Sequence, residues 1–144
     1  MMTIAEQEEQ IINEFILFDD WMDKYNFIID LGKSLPMIDE KHKTDSNLIK
    51  GCQSRVWLSA EFDGKVIIFT GDSDAVITKG IANLLVRVLS GHTPDEIIGA
   101  DMSFVDQIGL KEHLSPTRSN GLVSMIKQMK LYALAYKTKA SLNI

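Results

Sequence analysis

Val56-Trp57-Leu58-Ser59-Ala60-Glu61-Phe62-Asp63-Gly64-Lys65-Val66-Ile67-Ile68-Phe69-Thr70 is the most informative stretch of this chain. Val56, Leu58, Ala60 and Phe62 alternate with Trp57, Ser59 and Glu61, the two-residue period of a strand with one buried face. Lys65 to Thr70 resumes as a run of Val66, Ile67, Ile68 and Phe69. Asp63-Gly64 between them is a preferred two-residue hairpin turn, since both positions of that turn need positive φ. The expected unit is an antiparallel hairpin, 55–62 against 65–71. In that register Phe62 faces Lys65, and Cys52 is carried opposite Ala75.

Outward from the hairpin the period changes to that of helices. Upstream, Thr3 and Glu6 have the capping-box spacing, and Ile4, Ile11, Phe15 and Phe18 predict an amphipathic helix over 4–18. Asp20 caps a second helix through Trp21, Tyr25, Ile28 and Leu31, with Gly32 as its left-handed terminator. Lys33 to Asn47 reads mostly as loop. Downstream, Asp72-Ser73-Asp74 offers cap side chains for a helix whose stripe is Ile77, Ile81, Leu84, Leu85 and Val88, ending at Gly91. Thr93-Pro94-Asp95-Glu96 repeats the start signature, and Ser103 to Ile108 suits another short turn of helix. Ser115 to Gly121 is turn-rich, and Leu122, Met125, Ile126, Met129, Tyr132 and Tyr136 define a long terminal helix. This order predicts an α+β domain, 1–144, with several helices packed against a small antiparallel sheet. Two strands alone are marginal, so a third is expected, with Asn47 to Lys50 as its nearest candidate.

Composition narrows the function. The 144 residues are 45% apolar and 24% charged, as in ordinary globular domains. Fifteen basic against twenty acidic residues give a net charge of −5, which argues against nucleic acid as main partner. The longest apolar run, Leu131 to Tyr136, has six residues and is far too short to span a membrane. The opening Met1-Met2-Thr3-Ile4-Ala5-Glu6 lacks a basic segment followed by an apolar one, so a cytoplasmic location is expected. Residues 1–30 hold eight acids and one lysine, whereas residues 111–144 hold six bases and one acid. The two ends are expected to attract.

The single cysteine, Cys52, excludes an internal disulfide and a Cys-rich metal or cluster site within one chain. No resident metal is expected from the scattered His42, His92 and His113. Cys52 itself has two readings. A lone Cys is commonly a small buried hydrophobe, but this one follows Gly51 and precedes polar Gln53-Ser54, away from any apolar stripe. Lys50 and Arg55 flank it and favour a thiolate, while Asp72 and Asp74 oppose one.

Four motifs occur in order. They are Gly51-Cys52-Gln53-Ser54 followed by Val56-Trp57-Leu58, Gly71-Asp72-Ser73-Asp74-Ala75, Lys79-Gly80, and His113-Leu114-Ser115-Pro116-Thr117-Arg118 with Gly121. Together with Trp21, Tyr25, Leu31-Gly32-Lys33 and Leu35-Pro36 they resemble the SufE family of sulfur-acceptor proteins over nearly the whole chain. The resemblance implies that Cys52 accepts sulfur from the persulfide of a cysteine desulfurase, activates that enzyme, and delivers the sulfur to an iron-sulfur scaffold. Pyridoxal phosphate would belong to the desulfurase, and this chain would bind no cofactor. Arg118 would lie near the cysteine loop, to hold it or to stabilise persulfide; backbone bonding at a helix entry is an equal alternative. Asp74 matches a position that places the cysteine loop, although plain helix capping is the preferred reading. Gly80 would allow close helix packing.

The contrasting reading is a stand-alone cysteine enzyme, a hydrolase or thiol peroxidase, with Cys52 as nucleophile, His113 as base and Asp106 as orienter. It requires His113 near Cys52, whereas a loop-packing role is the commoner one for such a histidine. A cluster scaffold would need a dimer to supply ligands. Monomer and homodimer both suit the composition.

Overall fold

The hairpin forms, but two residues out of the expected register. In the computed structural model, which describes residues 2–50 and 54–142, β1 (Val56–Phe62) pairs with β2 (Ile67–Ser73) so that Phe62 faces Ile67 and Val56 faces Ser73. The turn explains the shift. Only Gly64 takes positive φ, 97°, while the Asp63 carboxylate accepts the Lys65 and Val66 N–H groups at 2.8 Å each. The aspartate thereby builds a four-residue loop and displaces the two-residue turn. An even displacement leaves every side chain on its expected face, so Val56, Leu58, Ile67 and Phe69 are all buried. It also overturns the pairing of position 52 with Ala75; Cys52 itself lies outside the described residues, as do Gly51 and Gln53.

Among the described residues the third strand is absent from the sheet, which has two strands. Residues 48 and 49 instead make a single antiparallel bridge, Leu48 to Trp57, with the Ile49 N–H 2.8 Å from the Val56 carbonyl. Both sheet edges are closed by other means. On the β2 side, Ile67 exchanges backbone bonds with Gly91 and His92, the Phe69 N–H reaches Ser90 Oγ at 2.9 Å, and Gly71 bonds to Pro36 and Ile38. On the β1 side the hydroxyls of Tyr132 and Tyr136 donate to the carbonyls of Leu58 at 2.9 Å and Ala60 at 2.7 Å.

Helices α1 (Ile4–Ile16) and α2 (Trp21–Gly32) precede two 3-10 turns at Glu40–His42 and Asp45–Asn47. The Thr3–Glu6 capping box and the Asp20 cap start these helices as expected. Gly32 is not a left-handed terminator. It is the last helical residue and is buried where α2 crosses α3 (Val76–Leu89); a Cβ there would lie 3.0 Å from the Gly80 nitrogen. The complementary Cβ on Gly80 would lie 1.9 Å from the Ile28 carbonyl oxygen. Backbone therefore meets backbone at this crossing, and only glycine fits.

Ten of the fourteen residues of α3 are buried, which makes it the central helix, packed on β2 and α2. Its cap differs from expectation. Ala75 precedes the first helical residue, and no side chain caps it. The chain continues through α4 (Pro94–Gly99), which has the expected Thr93–Glu96 box, then α5 (Phe104–Gln107), α6 (Leu110–His113) and α7 (Pro116–Leu142). The turn expected over 115–121 is the first part of α7, with Pro116 at its first position and the Arg118 N–H on Ser115 Oγ. Proline and the small polar residues after it mimic a turn in composition, yet they suit a helix start.

Among the described residues, the expected attraction between the chain ends does not take the form of ion pairs: Glu14 of α1 pairs with Arg87 and Lys137 of α7 with Asp95. Buried side chains from α1, α2, both strands and α3 to α7 form one contiguous cluster.

Candidate functional site

The site is built from the two stems of the segment 50–55. The incoming stem is fixed by the Ile49–Val56 bond and the Leu48–Trp57 bridge. At the outgoing stem the Arg55 N–H donates to the Asp74 carboxylate at 3.0 Å, the Asp74 N–H reaches the Arg55 carbonyl at 3.2 Å, and Ser73 Oγ donates to that carbonyl at 2.9 Å. The capping role preferred for Asp74 is therefore wrong. Its carboxylate faces across the hairpin and ties residue 55 to the start of α3, and a charged acceptor makes that bond stronger than a neutral one. The described residues on both sides of 51–53 are thus anchored, Ile49 before them and Arg55 after them.

A cleft of about 300 Å³ opens at Ser54, beside the outgoing stem. Ser54 from the outgoing stem, Thr78 from α3, and Ser115, Thr117 and Arg118 from the start of α7 line it. The fold therefore brings Arg118 and Ser54 together. Arg118 is exposed, and among the described residues its guanidinium has no ion pair or hydrogen-bond partner. Lys50 and Arg55 are exposed on the loop flanks.

Of the two acids set against a thiolate, one is compensated. Asp72 sits 2.7 Å from Lys43 and 3.4 Å from Lys79. Burial works against its charge, but the Lys43 ammonium, the Ser73 N–H and Lys79 outweigh burial and hold the carboxyl below its usual range. The same contact with Asp72, and a second with Glu40, raises Lys43 above the ordinary lysine range.

One side chain that the sequence marks only as part of a helical stripe organises the incoming stem. The Tyr132 hydroxyl lies 2.9 Å from both Asn47 Oδ1 and the Leu58 carbonyl, and Asn47 Nδ2 donates to the His42 carbonyl at 2.7 Å. Burial raises the Tyr132 pKa and keeps it a donor. A polar tip on an apolar stripe is the signal that marks such a residue, because a buried phenol must find an acceptor.

The two described members of the alternative triad, His113 and Asp106, are engaged elsewhere. The His113 ring stacks on Trp21 with centroids 3.8 Å apart, its Nδ1 is 2.9 Å from the Gly109 carbonyl, and the Tyr25 hydroxyl donates to the His113 carbonyl. Asp106 pairs with Lys111 at 3.5 Å, and neither His113 nor Asp106 lines the cleft beside the loop. Among the described residues, no three His, Cys, Asp or Glu side chains are grouped to hold a metal, and no helix is long and apolar enough to cross a membrane.

The family model SufE, described as an Fe-S metabolism associated domain, matches residues 9–133. The chain belongs to the SufE family. An uncharacterised SufE-like protein of Rhizobium etli is 41% identical over 127 residues, covering 85% of this chain and 86% of that protein. SufE-like protein 1 of Arabidopsis thaliana, chloroplastic/mitochondrial, is 39% identical over 132 residues, which are 91% of this chain and 36% of that protein. The solution structure of a hypothetical protein from Thermus thermophilus matches with TM-score 0.76 at 18% identity, covering 92% of this chain and 96% of that one, and shares the fold. Membership of the SufE family gives the protein a role in iron-sulfur metabolism and sulfur transfer, and implies a cysteine desulfurase partner in general terms.

Proposed function

We propose that this SufE protein activates a cysteine desulfurase by accepting its sulfur on Cys52 and passing it to an iron-sulfur scaffold in the cytoplasm. In the transfer, the Cys52 thiolate attacks the outer sulfur of the donor's persulfide. A new S–S bond forms at Cys52 as the donor's S–S bond breaks, and the donor cysteine leaves as a thiolate, so no external oxidant or reductant is needed. Pyridoxal phosphate stays with the donor, and this chain binds no cofactor. The observation that carries the reading is the Asp74 bond to Arg55, three residues after the only thiol in the sequence, beside a hydroxyl-lined cleft that contains Ser54 and the exposed Arg118.

Each residue then has a physical task. Arg118, with Lys50 and Arg55, favours the thiolate and afterwards the persulfide anion. Asp74 limits the motion of residue 55, and Gly51, Gln53 and Ser54 are the sequence neighbours of Cys52 that the donor would meet. With no second cysteine, a loaded persulfide cannot collapse into an internal disulfide and waits for its acceptor. Cys52→Ser is expected to abolish stimulation of a cognate desulfurase while leaving the circular dichroism spectrum unchanged. Wild-type protein incubated with desulfurase and cysteine is expected to gain one sulfur at Cys52, removable by reductant, by mass spectrometry. Full stimulation by Cys52→Ser would remove the thiol from the mechanism.

A further inference from the structure

Helix α7 is chemically unlike the rest of the chain. It carries Arg118, Lys127, Lys130, Lys137 and Lys139 and no acid, in a protein of net charge −5. Its outward side is also aliphatic, with Val123, Leu131 and Leu134 exposed at 47%, 46% and 50%. Two recesses flank this side. One, of about 480 Å³, is an apolar groove between α7 and the α4–α6 segment, with Ile98, Met102 and Val105 in its wall. The other, of about 470 Å³, lies between α7 and the incoming stem of the thiol loop, against Leu48, Ile49 and Lys50. Lys127 and Leu131 line both, so they form the ridge between the groove and the stem. The Lys130 ammonium is turned onto the Ile98 and Ala100 carbonyls. Among the described residues, Lys50 and Lys127 make no ion pair.

An ordinary protein contact covers about 800 Å² on each partner, a patch roughly 16 Å in radius. A donor delivering sulfur to the 50–55 loop therefore overlies the stem recess and reaches the ridge. We propose that the ridge of α7 centred on Lys127 and Leu131 is the docking surface for the sulfur-donating desulfurase, which meets it with an acidic segment bearing aliphatic side chains. This rests on the relay reading above and adds the partner's footprint to it. The lysines supply steering and register, and the leucine supplies a desolvated anchor. Docked through its own α7, a second copy of this chain would oppose bases to bases, so that arrangement fits the ridge poorly.

The test titrates purified wild-type protein and the Lys127→Glu/Leu131→Glu variant into the desulfurase that the wild type stimulates most, with cysteine as substrate. The expected result is a half-saturating concentration raised roughly tenfold or more, with full stimulation still reached at saturation, and a weaker dependence on salt. Lys139→Glu, on the same helix but in neither recess, is expected to shift it less than twofold. Alkylation of Cys52 by a small reagent is expected to proceed at the same rate in all three proteins, which separates docking from a damaged fold. An unchanged half-saturating concentration in the double variant overturns the docking surface and leaves the relay standing. Failure of the wild type to stimulate any desulfurase overturns the relay and this inference with it. A wild-type dimer in sedimentation that the double variant breaks into monomers assigns the ridge to self-association and also overturns the proposal.

Discussion

The two edges of the hairpin are closed by different kinds of group. Along β2 the partners are main-chain atoms of Pro36, Ile38, Gly91 and His92, helped by one serine hydroxyl, and the strand lies on the buried helix α3. Along β1 they are two phenols projecting from α7 and a single backbone bond to Ile49. Main-chain closure is stiff, because moving one partner moves the element that carries it. Side-chain closure is softer, since a hydroxyl can be lost or redirected at modest cost. The segment carrying the thiol enters β1, the strand with the softer edge, whereas the close approach of Gly32 to Gly80 involves α3, which packs on β2.

This contrast can be broken from the stiff side first. Gly80→Ala places a methyl 1.9 Å from the Ile28 carbonyl oxygen. The helix-propensity gain of about 1 kcal/mol is outweighed by forcing two backbones apart, with an expected net loss of about 3 kcal/mol. The melting temperature is expected to fall by roughly 10 °C in a calorimetric scan. A fall below a third of that would show the crossing to be more yielding than its geometry implies.

On the soft side, Tyr132→Phe keeps the ring and removes the hydroxyl shared by Asn47 and Leu58. About 1 kcal/mol of stability is expected to be lost, with faster hydrogen exchange at Ile49 and little change at Phe69. Equal acceleration at both amides would mean that the two edges open together. Asp74→Ala is a smaller perturbation on an exposed acid, with an expected loss of about 0.5–1 kcal/mol and exchange acceleration confined to Arg55 and its neighbours.

The smallest effect concerns pH. Two bonds from the Arg87 guanidinium, at 2.9 and 3.1 Å, hold the Glu14 carboxyl below its usual value near 4.5, against a smaller opposing effect of burial. A carboxyl depressed in the folded state contributes stability above its unfolded pKa and loses it as pH falls through the folded one. Glu14→Gln is therefore expected to flatten the decline in stability between about pH 5 and pH 3, followed by urea denaturation at each pH. An unchanged slope would assign the decline to other carboxyls.

The sequence made legible whatever is decided within a few residues. The capping boxes at Thr3 and Thr93, the alternation over Val56–Phe62 and the stripe of α3 all rest on local geometry. Reading failed where a side chain had a choice of partner. Asp63 took two backbone N–H groups and lengthened the turn, and Asp74 took an amide nineteen residues away where a helix cap was nearer in sequence. Pro116 started a helix although its neighbours have the composition of a loop. Cys52, Arg118 and Asp74 stood out in the sequence by motif, but the hydroxyl lining of the cleft comes from Ser54, Thr78, Ser115 and Thr117 on three separate segments, and no spacing rule unites them.

The closure of the 50–55 loop at its base also sets a tether. Cys52 lies three positions beyond Ile49, and a fully stretched chain advances about 3.5 Å per residue, so its Cα stays within roughly 10 Å of that anchor. Such a short leash rules out a swinging-arm carrier. In the proposed relay, giver and receiver would each come up to the same rim of the protein and would take turns there.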